Sequence, residues 1–203
     1  MPDVLPALSE RRARRAFAPT LVPSDVQETL WQAVTLAPSH GNSQPTRILV
    51  AESEPARTAL VAALSDGNRG WAAAAPLLCA LCAMSAHDRT QPNSDGTTRE
   101  LWAFHAGIAC GNLLAQATAL GLTAHPMAGF DEPAVRAAFG TPPDIRVLAV
   151  VAIGYPGGLG QLPEDLRERE TAQQERLTIG QVVARDHWDP EMGVSARDRR
   201  KRS

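Results

Sequence analysis

The stretch Leu77–Ala83, Leu-Leu-Cys-Ala-Leu-Cys-Ala, constrains the fold most. It is apolar at every position, offers no solvent face, and therefore reads as a central strand. Ile145–Ile153 is the longest strand candidate, and Arg47–Ala51 is a third. Helical patterns are interspersed with these runs. Ser24, with Gln27 three residues on, has the form of a capping box, and Val26, Leu30 and Val34 then repeat on one face. Pro55–Leu64 reads as a second helix, closed by a turn at Asp66-Gly67-Asn68. A long helix over Arg99–Leu120 stops at Gly121 and is apolar almost all round, which suits a core or a subunit interface. Asp131 caps a short helix through Phe139, with Pro133 in its first turn. Leu5–Arg14 has room for a short first helix, and Pro92–Thr98 reads as a polar loop. Such alternation argues for a layered α and β domain.

At 203 residues the chain suits a single domain, and 44% hydrophobic residues are enough for a core. Beyond Gly160 the character changes: Pro163–Arg176 is highly charged, Leu177–Val183 is a short apolar piece, and the rest is polar. Residues 161–203 lack a core of their own and read as an arm of the domain. A net charge of −2 gives no global case for nucleic acid or an acidic membrane. Cys79-x-x-Cys82 has redox or metal spacing, yet it lies inside an apolar run with no second Cys/His pair nearby, so core cysteines are expected. Met1–Glu10 lacks the cationic start and apolar stretch of a signal peptide, and charges and prolines interrupt each apolar run. A soluble cytoplasmic protein is the expectation.

Ala37–Pro45, Ala-Pro-Ser-His-Gly-Asn-Ser-Gln-Pro, joins the first clear helix to the first strand. Pro38 cannot extend a helix interior, Gly41 can take positive φ, and Pro45 pushes Gln44 towards an extended conformation. Between these points Ser39, His40, Asn42, Ser43 and Gln44 offer donors and acceptors that suit a flat, heteroatom-rich ligand. The alternative is an ordinary polar helix-to-strand loop. Arg11, Arg12, Arg14 and Arg15 form a basic cluster; in a helix Arg11 and Arg15 would share a face and could grip a phosphate, or simply be a solvated surface. A second cluster lies at Arg197–Arg202. No nucleophile elbow, P-loop or dinucleotide fingerprint occurs, and no two of the five histidines have metalloenzyme spacing.

Four segments in order resemble the FMN-dependent nitroreductase family. Arg11-Arg12-Ala13-Arg14-Arg15-Ala16-Phe17 is similar to the family's Arg-Arg-Ser-x-Arg-x-Phe opening. Ala37-Pro38-Ser39-x-x-Asn42-x-Gln44-Pro45 follows after a helix, as the family's Ala-Pro-Ser-x-x-Asn-x-Gln-Pro-Trp does. Gly121-Leu122 leading to Met127-Ala128-Gly129-Phe130-Asp131, and Ile153-Gly154-Tyr155-Pro156, complete the set. The similarity spans about Leu8 to Trp188.

The resemblance implies an α+β fold: a three-layer α/β/α sandwich with a mostly antiparallel central sheet flanked by helices. It further implies an intertwined homodimer with FMN at the interface and the late arm wrapping the other subunit. Arg11 and Arg12 would meet the phosphate and ribityl end of FMN, with Arg176 joining from the late segment. Ala13 occupies the phosphate-binding position where Ser is usual. Arg15 would approach the pyrimidine side, where negative charge develops on reduction. Pro38, Ser39 and Asn42 would line the ring, Asn68 would touch its pyrimidine, and Gly129 would lie near N5, where lack of a side chain permits close approach. No residue is assigned a catalytic role beyond electrostatic support from Arg15, with His40 a weaker candidate acid, and no metal is expected. The implied activity is a ping-pong reduction of nitroaromatics, quinones or similar small electrophiles, with NAD(P)H as donor. Alternatives are another reductase chemistry of the same family, such as enoyl or semialdehyde reduction or dehalogenation, or a low-turnover flavin-binding module. Thr46 for Trp, His105 for Asp and Gln174 for Lys are further departures from the family pattern.

Overall fold

The structure, a computed structural model, describes residues 3–88 and 90–193. Its elements run α1 (Pro6–Ser9), α2 (Ser24–Thr35), β1 (Thr46–Val50), α3 (Glu54–Ala62), α4 (Asp66–Ala72), β2 (Leu77–Met84), β3 (Gln91–Pro92), β4 (Thr98–Arg99), α5 (Trp102–Ala119), β5 (Thr123–Met127), α6 (Glu132–Phe139), β6 (Ile145–Gly154) and α7 (Glu164–Thr171). The main sheet has the order β1-β2-β6-β5, and all its pairings are antiparallel.

β2 is central, as its apolar sequence requires, and all but its last residue are buried. Leu78, Ala80 and Cys82 pack with Leu60, Trp71 and Val135, in the layer of α3, α4 and α6. Leu77, Cys79 and Leu81 pack with Leu30, Val34, Leu113 and Ala117, in the layer of α2 and α5. The protein is therefore a three-layer α/β/α sandwich. Leu148 has no partner between Val147↔Cys82 and Ala149↔Leu81, so a bulge shifts the alternation. That shift lets Ile145, Val147, Val150 and Ala152 share one face. Pro126 is tolerated because β5 is an edge strand. Cys79 and Cys82 point to opposite faces, so their spacing cannot converge on one metal. Burial pushes the Cys82 thiol up to about 12 and raises that of Cys79 as well.

Several local expectations are corrected. The first helix is only Pro6–Ser9, and Arg11–Arg15 is not helical. Half-burial instead alternates, placing Arg11, Ala13 and Arg15 on one side of an extended segment. The Ser24 capping box is absent, because Pro23 takes the N-cap position and the Gln27 side chain donates to Val22 O at 2.8 Å. Asp66-Gly67-Asn68 is not a terminating turn but the start of α4. The polar loop at 92–98 is the tip of a small hairpin. Within the single chain the long helix buries one face, through Ala106, Ala109, Leu113 and Ala117, and exposes Phe104, Gly107 and Gly111, which leaves the interface alternative for that face open. The short helix at Glu132–Phe139 follows the sequence: Asp131 accepts from Ala134 N at 3.1 Å, and Gly140 closes it in the left-handed conformation.

The chain divides into two compact units, Met1–Arg167 and Glu168–Ser203. The second contains the end of α7 and a 3-10 turn at Ile179–Gln181 with a Thr178/Gln181 capping box. It exposes Ile179, Val182, Val183 and Trp188. The Arg197–Arg202 cluster lies outside the described residues. Among the described residues no helix is long and apolar enough to cross a membrane.

Candidate cofactor site in two corners

One group of expected site residues gathers at the free edge of β5. The extended segment Arg12–Arg14 is pinned by Thr123, whose buried hydroxyl donates to Arg12 O at 2.8 Å and accepts from Arg14 N at 3.3 Å. His125 Nδ1 stands 3.0 Å from Arg14 O. Further on, Gly157 N donates to Ala16 O and Ala18 N to Tyr155 O, each at 2.9 Å. A Cβ on Gly157 would come within 2.5 Å of the Phe17 carbonyl carbon, so this contact needs glycine. The Arg15 guanidinium then lies 5.9 Å from the centre of the Trp71 ring, close enough for a cation–π attraction. Trp71 also packs on His125 at 4.6 Å and donates from Nε1 to Gly67 O at 3.0 Å.

On the same helix as Trp71, Asn68 Nδ2 donates to Gly129 O at 3.1 Å, and Ser65 N donates to the same oxygen at 2.9 Å. Arg15, Asn68 and Gly129 are thus brought together around α4, with Arg11, Arg12 and Ala13 on the adjoining segment. Arg12 is exposed and bends back to Ser9 O and Arg11 O, each at 3.0 Å. The structure gives Gly129 an intramolecular reason to be glycine: a Cβ there would stand 2.5 Å from Ser65 Oγ and 2.9 Å from Asn68 Nδ2.

The second group is the Pro38–Gln44 loop. Gly41, Asn42 and Gln44 have φ of +56°, +57° and +46°. The expectation that Pro45 would hold Gln44 extended is therefore wrong. Gln44 is retained in the left-handed region because its N–H donates to Ser39 Oγ at 2.9 Å. Asn42 N donates to Ser39 O at 3.0 Å and Ser43 N to His40 O at 3.2 Å. Asn42 is exposed, and the Ser43 hydroxyl is buried without a hydrogen-bond partner among the described residues. Beneath the loop Pro38, Ser39, Thr46, Arg47 and His105 bound a cleft of about 110 Å³. Small-molecule pockets measure roughly 300–1,000 Å³, so this cleft cannot enclose a flavin by itself.

The two groups occupy diagonally opposite corners. The loop feeds β1, whose Thr46 aligns through Ala83 with Arg146, near the start of β6. The Arg segment is fixed to Thr123, which aligns with Gly154 at the end of β6. Eight strand residues and three interstrand spacings separate them, roughly 30 Å. They also differ in layer, since the loop follows α2 and touches α5, while Arg15 packs on α4. Arg176 belongs to the second unit, where it is exposed and donates to Gln174 Oε1 at 2.5 Å and Glu175 O at 3.1 Å. Sequence reasoning missed Thr123, His125 and Trp71, which hold the Arg corner; no motif marks them.

The donor set fits FMN. The guanidinium groups of Arg11, Arg12 and Arg15 suit a phosphate and an electron-rich ring edge, and the loop offers the exposed Asn42 to a polar ring. Among the described residues no cluster of His, Cys, Asp and Glu could hold a metal. The architecture defines an α+β sandwich that presents an Arg-rich segment and a polar loop. Residues 8–70 and 53–155 match the Nitroreductase family, and the chain belongs to that family. A Xanthomonas oryzae pv. oryzae protein with the provisional name NADH dehydrogenase/NAD(P)H nitroreductase is 34% identical over 73% of this chain and 83% of its own length. A Streptomyces coelicolor protein with the same provisional name is 28% identical over 74% and 81%. The crystal structure of an FMN-containing oxidoreductase superposes with a TM-score of 0.81 at 30% identity, covering 93% of this chain and 94% of the other. A provisionally named nitroreductase from Exiguobacterium sibiricum, solved with FMN, shares the fold at 17% identity, with a TM-score of 0.73 over 92% and 98%.

Proposed function

We propose that the protein is an FMN-dependent reductase that draws electrons from NAD(P)H and passes them to nitroaromatics, quinones or similar small electrophiles. The observation that carries this reading is the presence of an Arg-rich segment and a polar loop, at opposite corners of the sheet, in a chain of the nitroreductase family. Bound FMN supplies hydride transfer, which explains why the residues need only bind and orient. Arg11 and Arg12 hold the phosphate end. Arg15, supported on Trp71, sets a fixed positive charge beside the pyrimidine, where preorganised charge is most effective. Asn68 is oriented by Gly129 O for the same edge. Pro38, Ser39 and Asn42 line the ring.

The roughly 30 Å between corners gives the site a second requirement. One flavin meets both corners only if a second copy brings its loop to this chain's Arg segment, so the working form is a homodimer with two equivalent sites. The exposed face of α5, with Phe104, Gly107 and Gly111, supports this reading. The exposed Ile179, Val182, Val183 and Trp188 support an arm that covers the partner.

Purified protein should release a yellow chromophore on denaturation, or bind added FMN. Anaerobic mixing with NADH and with NADPH should then bleach the flavin with at least one donor. Absence of flavin binding would overturn the cofactor assignment; a flavin bleached by neither donor would leave a passive binding module.

A further inference from the structure

We propose that His105 is a positioning residue for the Pro38–Gln44 loop, acting as a neutral imidazole whose Nε2 accepts the His40 amide. The proposal rests on the flavin reading given above for what the loop serves, but the positioning itself is a property of the chain alone. The loop carries three left-handed residues within four positions, two of them not glycine. Such backbone persists only where its surroundings over-determine it. The bonds inside the loop, from Ser39 and His40 to residues 42–44, close its turns but do not attach it to the rest of the protein. Attachment comes from two sides: the Arg47 guanidinium donates to Gln44 O at 2.8 Å and ties the loop to its own strand, while His40 N donates to His105 Nε2 at 3.2 Å and ties it to α5.

His105 is well suited to the task. It sits in the first turns of α5, is 4% exposed, and borders the cleft shared with Val34 and Thr35 of α2 and Thr46 and Arg47 of β1. Its ring is therefore held in place by packing. Arg47 and His40 are the charged or titratable groups that these neighbouring segments present to it. An Nε2 that accepts a backbone N–H carries no proton, so the neutral ring has its proton on Nδ1. Nδ1 is buried with no hydrogen-bond partner among the described residues.

The same histidine on the loop reaches outward as well. His40 Nε2 lies 3.0 Å from Gln91 Nε2 on β3, so the residue that His105 fixes also anchors the β3–β4 hairpin beside the loop. His105 is thereby one step from the hairpin and one step from the ring-facing residues.

Nitrogen-15 NMR of the flavin-free wild-type protein in mildly alkaline buffer should show His105 as the Nδ1–H tautomer; an Nε2–H tautomer overturns the proposal. Amide exchange at residues 40–44 and FMN affinity then test the role in two substitutions. In His105→Gln, Oε1 stands close to where Nε2 was, so both readouts should stay within about threefold of wild type. In His105→Leu the acceptor is lost, so exchange should accelerate and FMN affinity fall, each by about tenfold. A residue that merely filled space would be replaced as well by Leu as by Gln, and equal behaviour of the two variants contradicts the proposal. Should His105→Leu not fold, the wild-type tautomer and the Gln variant still decide. If wild type binds no FMN, the flavin reading fails while tautomer and exchange continue to judge the positioning. If exchange accelerates but FMN affinity does not change, the loop's service to the flavin is refuted.

Discussion

The Arg corner and the loop corner hold unusual backbone by different means. At the Arg corner the chain is extended, and it borrows the edge of an existing sheet through Thr123, His125, Tyr155 and Gly157. At the loop corner there is no ladder to borrow. Three left-handed residues are held by one serine hydroxyl, two turn bonds, the Arg47 guanidinium on Gln44 O and a buried histidine. The contrast teaches where each half is fragile. The first depends on close backbone packing, so it fails through steric intrusion. The second depends on single polar contacts, so it fails through loss of one acceptor.

The largest effect is expected for Gly157→Ala. Its Cβ would meet Phe17 backbone, which cannot move aside as a side chain can, so a loss of about 3 kcal/mol in denaturant unfolding should follow. Arg15 should be displaced while amide exchange in the loop stays as it was. Thr123→Val keeps the shape but leaves Arg12 O and Arg14 N without their bridge, at about 2 kcal/mol, and FMN affinity should fall with it. Gly129→Ala crowds two side-chain atoms rather than backbone, so about 1.5 kcal/mol is expected, and rearrangement of Asn68 should be visible by NMR. Ser39→Ala removes only the acceptor for Gln44 N–H, at about 1 kcal/mol, and should loosen the loop while sparing the Arg corner.

The smallest effect lies outside both corners and serves as a control. The Arg146 guanidinium, donating at 2.9 Å, is the main cause that holds the Glu132 carboxyl below the usual glutamate range, and Val147 N–H assists. A depressed value means the contribution is present above the ordinary glutamate pKa of about 4.3 and is lost as pH falls below it. Glu132→Gln should flatten that part of the stability–pH curve slightly, without altering either corner.

The layers were legible because burial leaves a periodic record. Leu77–Ala83 had to be central, and Val26, Leu30 and Val34 had to face a core. Capping was legible only where it was unambiguous: Asp131 capped its helix, whereas Ser24 did not, because Pro23 already supplied the entry geometry. Gln44 defied the rule for residues before proline because Ser39 overrode it, and no local pattern announces such a bond. The residues proposed for the site were named from motifs, but their distribution between two corners was not legible there. Strand order is a non-local property; nothing in Arg11–Phe17 or Ala37–Pro45 says that β1 and β5 take opposite edges. Gly129 has a reason to be glycine that its motif did not show, since an added Cβ would meet Ser65 and Asn68.

The central claim is that one flavin site draws its Arg corner and its loop corner from different copies of the chain. Subunit complementation tests it most directly. One variant carries Arg11→Ala with Arg15→Ala, the other Ser39→Ala with Asn42→Ala, and each alone should bind FMN poorly. Refolded together in equal amounts, half the dimers are mixed, and each mixed dimer contains one intact site. FMN binding should then return to roughly a quarter of the wild-type level. No recovery in demonstrably mixed dimers, or full FMN binding by a monomer, would contradict the account.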